Sequence, residues 1–249
     1  MSHVRLILPV GLIIACVLAL SNRAFAGPPF ITDDPEPVEL HHWEVYLASN
    51  YFNNSDGINV TLPHVEANYG ALPNLQLHVI APLELVHPEG GKVQYGYGDT
   101  ELGVKYRFVQ ESDYIPMVGT FPLAEISSGD ARLGLGNGKT QYFVPLWLQK
   151  SFGKWTTYGG AGYWFHPGTG NRDYWFVGWE GQRQITDNFA LGAEIFFQTP
   201  NAIGAHDVVG FNIGPMIDFS EHVHLLLSAG RDIQGPNRFM YYAAIQWTF

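Results

Sequence analysis

About twelve stretches of this chain alternate apolar side chains with small or polar ones, each over roughly ten residues or more. That is the period of a strand, not of a helix. In 98–109, Leu102, Val104, Tyr106 and Phe108 share one side, and Glu101, Gly103, Lys105 and Arg107 share the other. In 189–199, Phe189, Leu191, Ala193, Ile195 and Phe197 oppose Ala190, Gly192, Glu194, Phe196 and Gln198. The stretch 207–219 sets Val209, Phe211, Ile213, Pro215, Ile217 and Phe219 against Gly210, Asn212, Gly214, Met216 and Asp218. The remaining predicted strands are 42–51, 58–70, 75–86, 114–125, 140–151, 155–166, 173–184, 223–232 and the closing stretch from Arg238 to Phe249. Strands of globular sheets average about five or six residues. A tilted membrane strand needs about 9–11.

Connections alternate in kind. Tight turns fall around 71–74, 110–113, 152–154, 186–188 and 220–222, whereas 52–57, 87–97, 126–138, 166–172, 200–206 and 233–237 are mostly longer and richer in Gly, Pro and polar residues. Short turns at one rim and longer loops at the other are the layout of an outer-membrane barrel, with both termini on the short-turn side. Trp43, Tyr51, Tyr69, Phe108, Trp155, Tyr163, Phe165, Trp175 and Trp247 stand near strand ends, as the aromatic girdles of such barrels do. A soluble sandwich also alternates, but its polar face would carry more Lys, Glu and Thr. The reading is an all-β fold: one antiparallel transmembrane barrel of about twelve strands over residues 42–249.

Residues 1–26 read as a cleaved signal peptide. A short basic start precedes an apolar run that Pro9 interrupts, and Ala24-Phe25-Ala26 precedes Gly27. Cys16, the one cysteine, lies inside it. A disulfide framework, a Cys zinc site and a Cys nucleophile are therefore excluded from the rest. The net charge is −10, and Arg5 and Arg23 belong to the leader, so the remainder is more acidic still. Without a basic stripe, nucleic acid is not an expected partner. Only 14% of residues are charged, against a usual ~25%. Segment 27–41 carries Pro28, Pro29, Pro35 and Pro37 with Asp33, Asp34, Glu36 and Glu39. It cannot be a central strand, and is expected at the periplasmic mouth or folded into the lumen as a gate.

Candidate functional groups are the inward charges. Glu44, Glu101, Lys105, Arg107 and Asp218 fall on the polar side of their strands. An even register around the 71–74 turn puts Glu66 opposite or near His78, with Asn68 and Gln76 as neighbours. The register around 186–188 puts Glu180 opposite Glu194. Such lumen charges tune selectivity rather than perform catalysis. A metal site needs three or four converging ligands, and none is read here; no cofactor is expected. Gly134–Thr140 resembles the tail of a phosphate-binding loop, but Leu133 stands where a Gly is required and a strand follows instead of a helix. No serine sits in a G-x-S-x-G elbow, so the chain reads as a non-enzyme. An outer-membrane lipid or ester hydrolase and a non-conducting structural or adhesion barrel remain as alternatives.

The segments 27–49, 95–108 and 122–138 resemble blocks of the outer-membrane transporter family named after the MetA pathway of phenol degradation. The carrying residues are Thr32, Asp33, Asp34 and Pro35, then His42, Trp43 and Glu44, then Gly98 and Asp99 before the strand with Lys105 and Tyr106. Ser127-Ser128-Gly129-Asp130 stands where that family has Pro-Thr-Gly-Asp. The resemblance implies a barrel in the bacterial outer membrane that passes small, aromatic or hydrophobic solutes, with outer-membrane lipid as its surroundings. Trp247 and Phe249 at the end of the closing strand resemble the signal that hands barrels to the outer-membrane insertion machinery.

Overall fold

The computed structural model describes residues 28–249, so the predicted signal peptide lies outside the described residues. Fourteen strand segments are described: β1 (Trp43–Asn54), β2 (Gly57–Leu72), β3 (Leu75–Pro88), β4 (Gln94–Tyr97), β5 (Thr100–Val109), β6 (Met117–Thr120), β7 (Leu123–Ile126), β8 (Gln141–Phe152), β9 (Trp155–Phe165), β10 (Tyr174–Thr186), β11 (Phe189–Gln198), β12 (Val208–Asp218), β13 (Val223–Gln234) and β14 (Phe239–Thr248). β4 and β5 both pair with β3 and form one span broken at Gly98-Asp99. β6 and β7 lie between β5 and β8 as one span broken at Phe121-Pro122. The spans therefore number twelve, all antiparallel, and β14 pairs with β1 to close the barrel. Closure leaves no row of unpaired backbone groups at a sheet edge. Beyond the last ladder pair, the Phe249 N–H donates to the Trp43 carbonyl at 3.0 Å, and the Trp43 N–H donates to the Phe249 carbonyl at 2.7 Å.

The alternation sets the faces. Leu146, Trp179, Ile195, Ile213 and Ile245 point outward and are exposed, whereas His64, Asn68, Gln76, Glu180, Glu194, Asn212 and Gln246 point inward and are buried. This is the inverse of a soluble protein, in which large apolar side chains are inside and charged ones are almost never buried unless paired. Such a wall suits hydrocarbon outside and polar chemistry within. Among the described residues no helix is long and apolar enough to cross a membrane; the crossing is made by strands.

The short-turn rim is built from tight connections such as Pro73-Asn74 and Gly153-Lys154. Asn74 and Gly153 take φ of 65° and 61° there, the left-handed region in which Gly and Asn carry little penalty. Three details depart from the sequence reading. The tight turn read at 110–113 is a longer connection over 110–116, and the strand read from 114 begins at Met117. The stretch 52–57 is a tight turn, because Asn53 and Asn54 keep their ladder partners Ile58 and Gly57. The stretch 87–97, read as loop, contains β4, since Tyr95 and Tyr97 turn outward in alternation with Gln94 and Gly96.

A cation at mid-wall has no hydrocarbon partner. Leu146→Arg, halfway along β8 on the outer face, is expected to destabilise the barrel by about 2–4 kcal/mol in vesicle-based chemical unfolding. No change would contradict the assignment of this face to lipid.

Candidate functional site in the barrel lumen

Segment 28–42 runs inside the barrel and crosses it from β13 to β3. Ser228 donates to the Pro29 carbonyl at 2.5 Å. The Phe30 ring is buried among Tyr46, Ala48, Ala190, Met216, Leu226 and Ala244. The Ile31 and Thr32 N–H groups donate to the two Glu194 oxygens at 2.9 and 2.8 Å. Lys105 donates to Asp33 and Asp34 at 2.9 and 3.1 Å. Gln149 donates to Glu36 at 2.9 Å, and Val38 N–H donates to Gln76 at 2.9 Å. The segment leaves the lumen beside β2, where the His41 N–H donates to the Gly70 carbonyl at 2.7 Å.

The wall is shaped for this passage by missing side chains. A Cβ at Gly178 would stand 2.1 Å from the Thr32 hydroxyl oxygen, and one at Gly192 would stand 2.7 Å from the Phe30 ring. At Gly119 it would meet Pro35 at 2.9 Å, and at Gly70 the Glu39 carbonyl at 1.9 Å. Four wall glycines thus follow the path of residues 30–39. Any side chain in their place must displace the segment or the wall, because packed interiors leave no spare room.

Lys105 is the electrostatic centre of the segment. Burying an ammonium is tolerated only with charged partners, and two carboxyls supply them. Burial pushes the Asp33 carboxyl up, but the Lys105 charge and hydrogen bond outweigh it and hold Asp33 below the ordinary range. Asp34 is fully enclosed; burial keeps it well above that range against the pull of Lys105, with the Asp33 charge beside it adding to the rise. One ammonium is therefore shared by two carboxyls whose proton affinities are driven apart.

Each of the inward residues singled out from the sequence has a definite place. The register puts Asn68 opposite His78 and Glu66 one position along. His78 Nδ1 lies 2.6 Å from Asn68 Oδ1 and 3.7 Å from Glu66. His78 Nε2 lies 2.9 Å from Glu101. Glu44 accepts from the Tyr46 hydroxyl at 2.8 Å. Arg107 donates to Asn74 and lies 3.9 Å from Glu36. Asp218 meets His224 at 2.7 Å. Glu180 and Glu194 are directly opposed, yet differ in surroundings. Glu194 takes two segment N–H groups and an Asn212 amide N–H, while both Glu180 oxygens lack a hydrogen-bond partner among the described residues. Trp247 and Phe249 lie on the outer face and are exposed. Asp218 and His224 stand at the short-turn rim, away from the Lys105 centre.

The alternation argument did not single out the aromatic lining of the long-loop half. Phe121, Phe143, Trp147, Phe176, Phe196, Val208 and Met240 form one buried inward cluster. Phe143 stacks on Trp164 at 4.8 Å and meets Phe176 edge-on at 6.4 Å. Strands such as 140–151 are aromatic on both faces. The distinguishing signal was that Phe143 and Trp147 share parity with Gln141 and Gln149. Below the segment, towards the short-turn rim, lies a cavity of about 600 Å³ bordered by Asp33, Glu36, Glu39, Glu44 and Glu66, among others. No cluster of three or more His, Asp or Glu able to hold a metal ion exists among the described residues.

No protein-family model and no curated sequence matches the chain. Among solved structures, an outer membrane channel from Pseudomonas putida F1 is similar at 14% identity and a TM-score of 0.69, covering 87% of this chain and 98% of that one. The KdgM porin, solved in complex with disordered oligogalacturonate, is similar at 10% identity and a TM-score of 0.58, covering 83% of this chain and 99% of that one. The translocator domain of the autotransporter NalP from Neisseria meningitidis has 10% identity and a TM-score of 0.54, covering 83% and 88%. At these identities the likeness is one of fold: the closed twelve-stranded barrel of this chain resembles the folds of an outer-membrane channel and a porin.

Gly178→Val should evict residues 28–42 without opening the barrel. Limited proteolysis should then cut this segment while the rest stays resistant. Equal protection in variant and parent would contradict the seating described.

Proposed function

We propose that the protein is an outer-membrane channel for small aromatic or hydrophobic solutes, gated from within by residues 28–42. The observation that carries this reading is the division of the lumen. Rings line the long-loop half, acids border a cavity at the short-turn half, and a tethered segment lies between them. Its tethers are hydrogen bonds, ion pairs and ring packing, none of them covalent, so the segment can leave and return.

A lining of rings favours an apolar solute, because each buried apolar surface contributes roughly 25 cal/mol per Å² and ring pairs add about 0.5–1.5 kcal/mol. The resemblance of 27–49, 95–108 and 122–138 to the phenol-degradation transporter family supports the same solute class. Glu66, His78, Glu101, Lys105, Arg107, Glu180 and Glu194 would line the opened passage, with acids in excess. Trp247 and Phe249 serve the handover to the insertion machinery. In this reading the residues conduct and do not catalyse; Ser228, for one, is committed to the Pro29 carbonyl.

A second reading, a non-conducting structural barrel, is favoured by the closeness of the ring cluster, whose Trp147 is 1% exposed. One experiment separates the two. In planar bilayers, deletion of residues 28–41 should raise single-channel conductance well above that of the full chain. Lys105→Gln should do so in part, because removing one partner of a buried ion pair costs about 3–5 kcal/mol. Currents that stay at baseline after the deletion would favour the structural barrel.

A further inference from the structure

We propose that Lys105, with Phe121 beside it, binds the carboxylate of a small aromatic acid, and that residues 28–42 hold the place of that solute in the closed barrel. This site deepens the channel reading, on which it rests, by naming the charge of the solute and what displaces the segment.

The chain itself supplies the ligand type. Lys105 is 4% exposed, and its ammonium donates to the Asp33 and Asp34 carboxyls at 2.9 and 3.1 Å. Two positions along the same strand, Arg107 lies 3.9 Å from Glu36. Both inward cations of β5 thus face carboxyls of the segment. Residues 28–42 carry Asp33, Asp34, Glu36 and Glu39 and no Lys or Arg. When the segment leaves, four acids leave with it, and Lys105 loses both of its ion-pair partners.

Breaking a buried ion pair is strongly destabilising, because it leaves an uncompensated charge. A neutral hydrocarbon does nothing for that charge, and a second cation makes it worse. A carboxylate carried by the solute restores the pair and offsets the loss of Asp33 and Asp34. The other acids near this lysine are already engaged. Glu66 and Glu101 lie 3.7 and 2.9 Å from the two His78 nitrogens, and Glu44 accepts from the Tyr46 hydroxyl.

The same lysine places the ring. Its ammonium lies 4.9 Å from the centroid of Phe121, which belongs to the buried ring cluster of the long-loop half. A carboxylate on Lys105 sets the attached ring against Phe121, at the offset or edge-on contacts that aromatic pairs favour. Access is from the cavity of about 600 Å³, which Asp33, Lys105 and Phe121 all border; small-molecule sites commonly have ~300–1,000 Å³. Asp33 is the open side of the ion pair: its side chain is 23% exposed, against 0% for Asp34. A solute in the cavity meets Asp33 first and exchanges with it before Asp34 has to move.

The test uses two full-length variants that both free the segment but differ in whether the lysine remains. Gly178→Val displaces residues 28–42 and keeps Lys105; Lys105→Gln loosens them and removes the cation. Each is titrated calorimetrically in detergent, beside the parent, with benzoate, benzyl alcohol and benzylamine. The parent should bind benzoate at least about tenfold more tightly than either other probe. Gly178→Val should bind benzoate about tenfold more tightly than the parent, since the competing carboxyls are gone, and Lys105→Gln at least about tenfold more weakly. Saturating benzoate should also expose residues 28–42 of the parent to limited proteolysis. A lysine that only holds the segment predicts the opposite for Lys105→Gln, benzoate binding equal to the parent's or tighter, and that result overturns the proposal. So does benzyl alcohol or benzylamine matching benzoate, absent benzoate binding in Gly178→Val, or a segment still protected at saturation. Circular dichroism and heat-modifiable migration establish that each variant is folded. Titration needs no current, so a silent barrel would sink the channel reading alone, and absent benzoate binding would sink this site alone.

Discussion

Hydrocarbon offers backbone groups no hydrogen-bond partner, and every other feature here depends on that constraint. It requires β14 to meet β1, and the mutual pair between Trp43 and Phe249 extends the seam to the last residue. Once the sheet is closed and its outer face is apolar, all the polar side chains of the alternation must go inward. A twelve-stranded circumference lies between barrels that side chains fill and those that leave an aqueous channel. The lumen is thus wide enough to admit a piece of chain, and polar enough to bind one.

Residues 28–42 answer that polarity. A Pro-rich segment cannot supply a regular ladder, so the wall reads it group by group: Glu194 takes two N–H groups, Gln76 another, Ser228 a carbonyl and Lys105 two carboxyls. Most of these contacts are to main chain. The path is imposed by Gly70, Gly119, Gly178 and Gly192, where a Cβ would collide with the segment. Charge and shape therefore specify the same seat. The Lys105 group is its strongest element, since charged hydrogen bonds are about twice as strong as neutral ones.

Much of this was legible in the sequence. Alternation identified all twelve spans and sorted their faces, because lipid and lumen demand opposite chemistry at adjacent positions. Turn position placed Glu180 opposite Glu194 and Glu66 near His78. The break at Phe121-Pro122 was not legible, since the alternating pattern continues through it; at Gly98-Asp99 the outward positions change parity, from Tyr95 and Tyr97 to Leu102 and Val104, but the Gly-rich, polar stretch before it reads as loop. Nor was the aromatic lining: Phe143, Trp147, Phe176 and Phe196 have the composition of a lipid face, and only their parity with Gln and Glu marks them as inward. The partners of the segment were beyond reach for a different reason. Asp33 lies 72 positions from Lys105 and Ile31 lies 163 from Glu194, and no local pattern encodes contacts of that span.

The central claim is that the seated segment closes the lumen. A side chain at position 178 collides with Thr32, so Gly178→Val displaces the segment without removing it. In planar bilayers the account predicts that this variant conducts well above the parent. Equal conductance in the two, with the displacement confirmed by limited proteolysis, would contradict it.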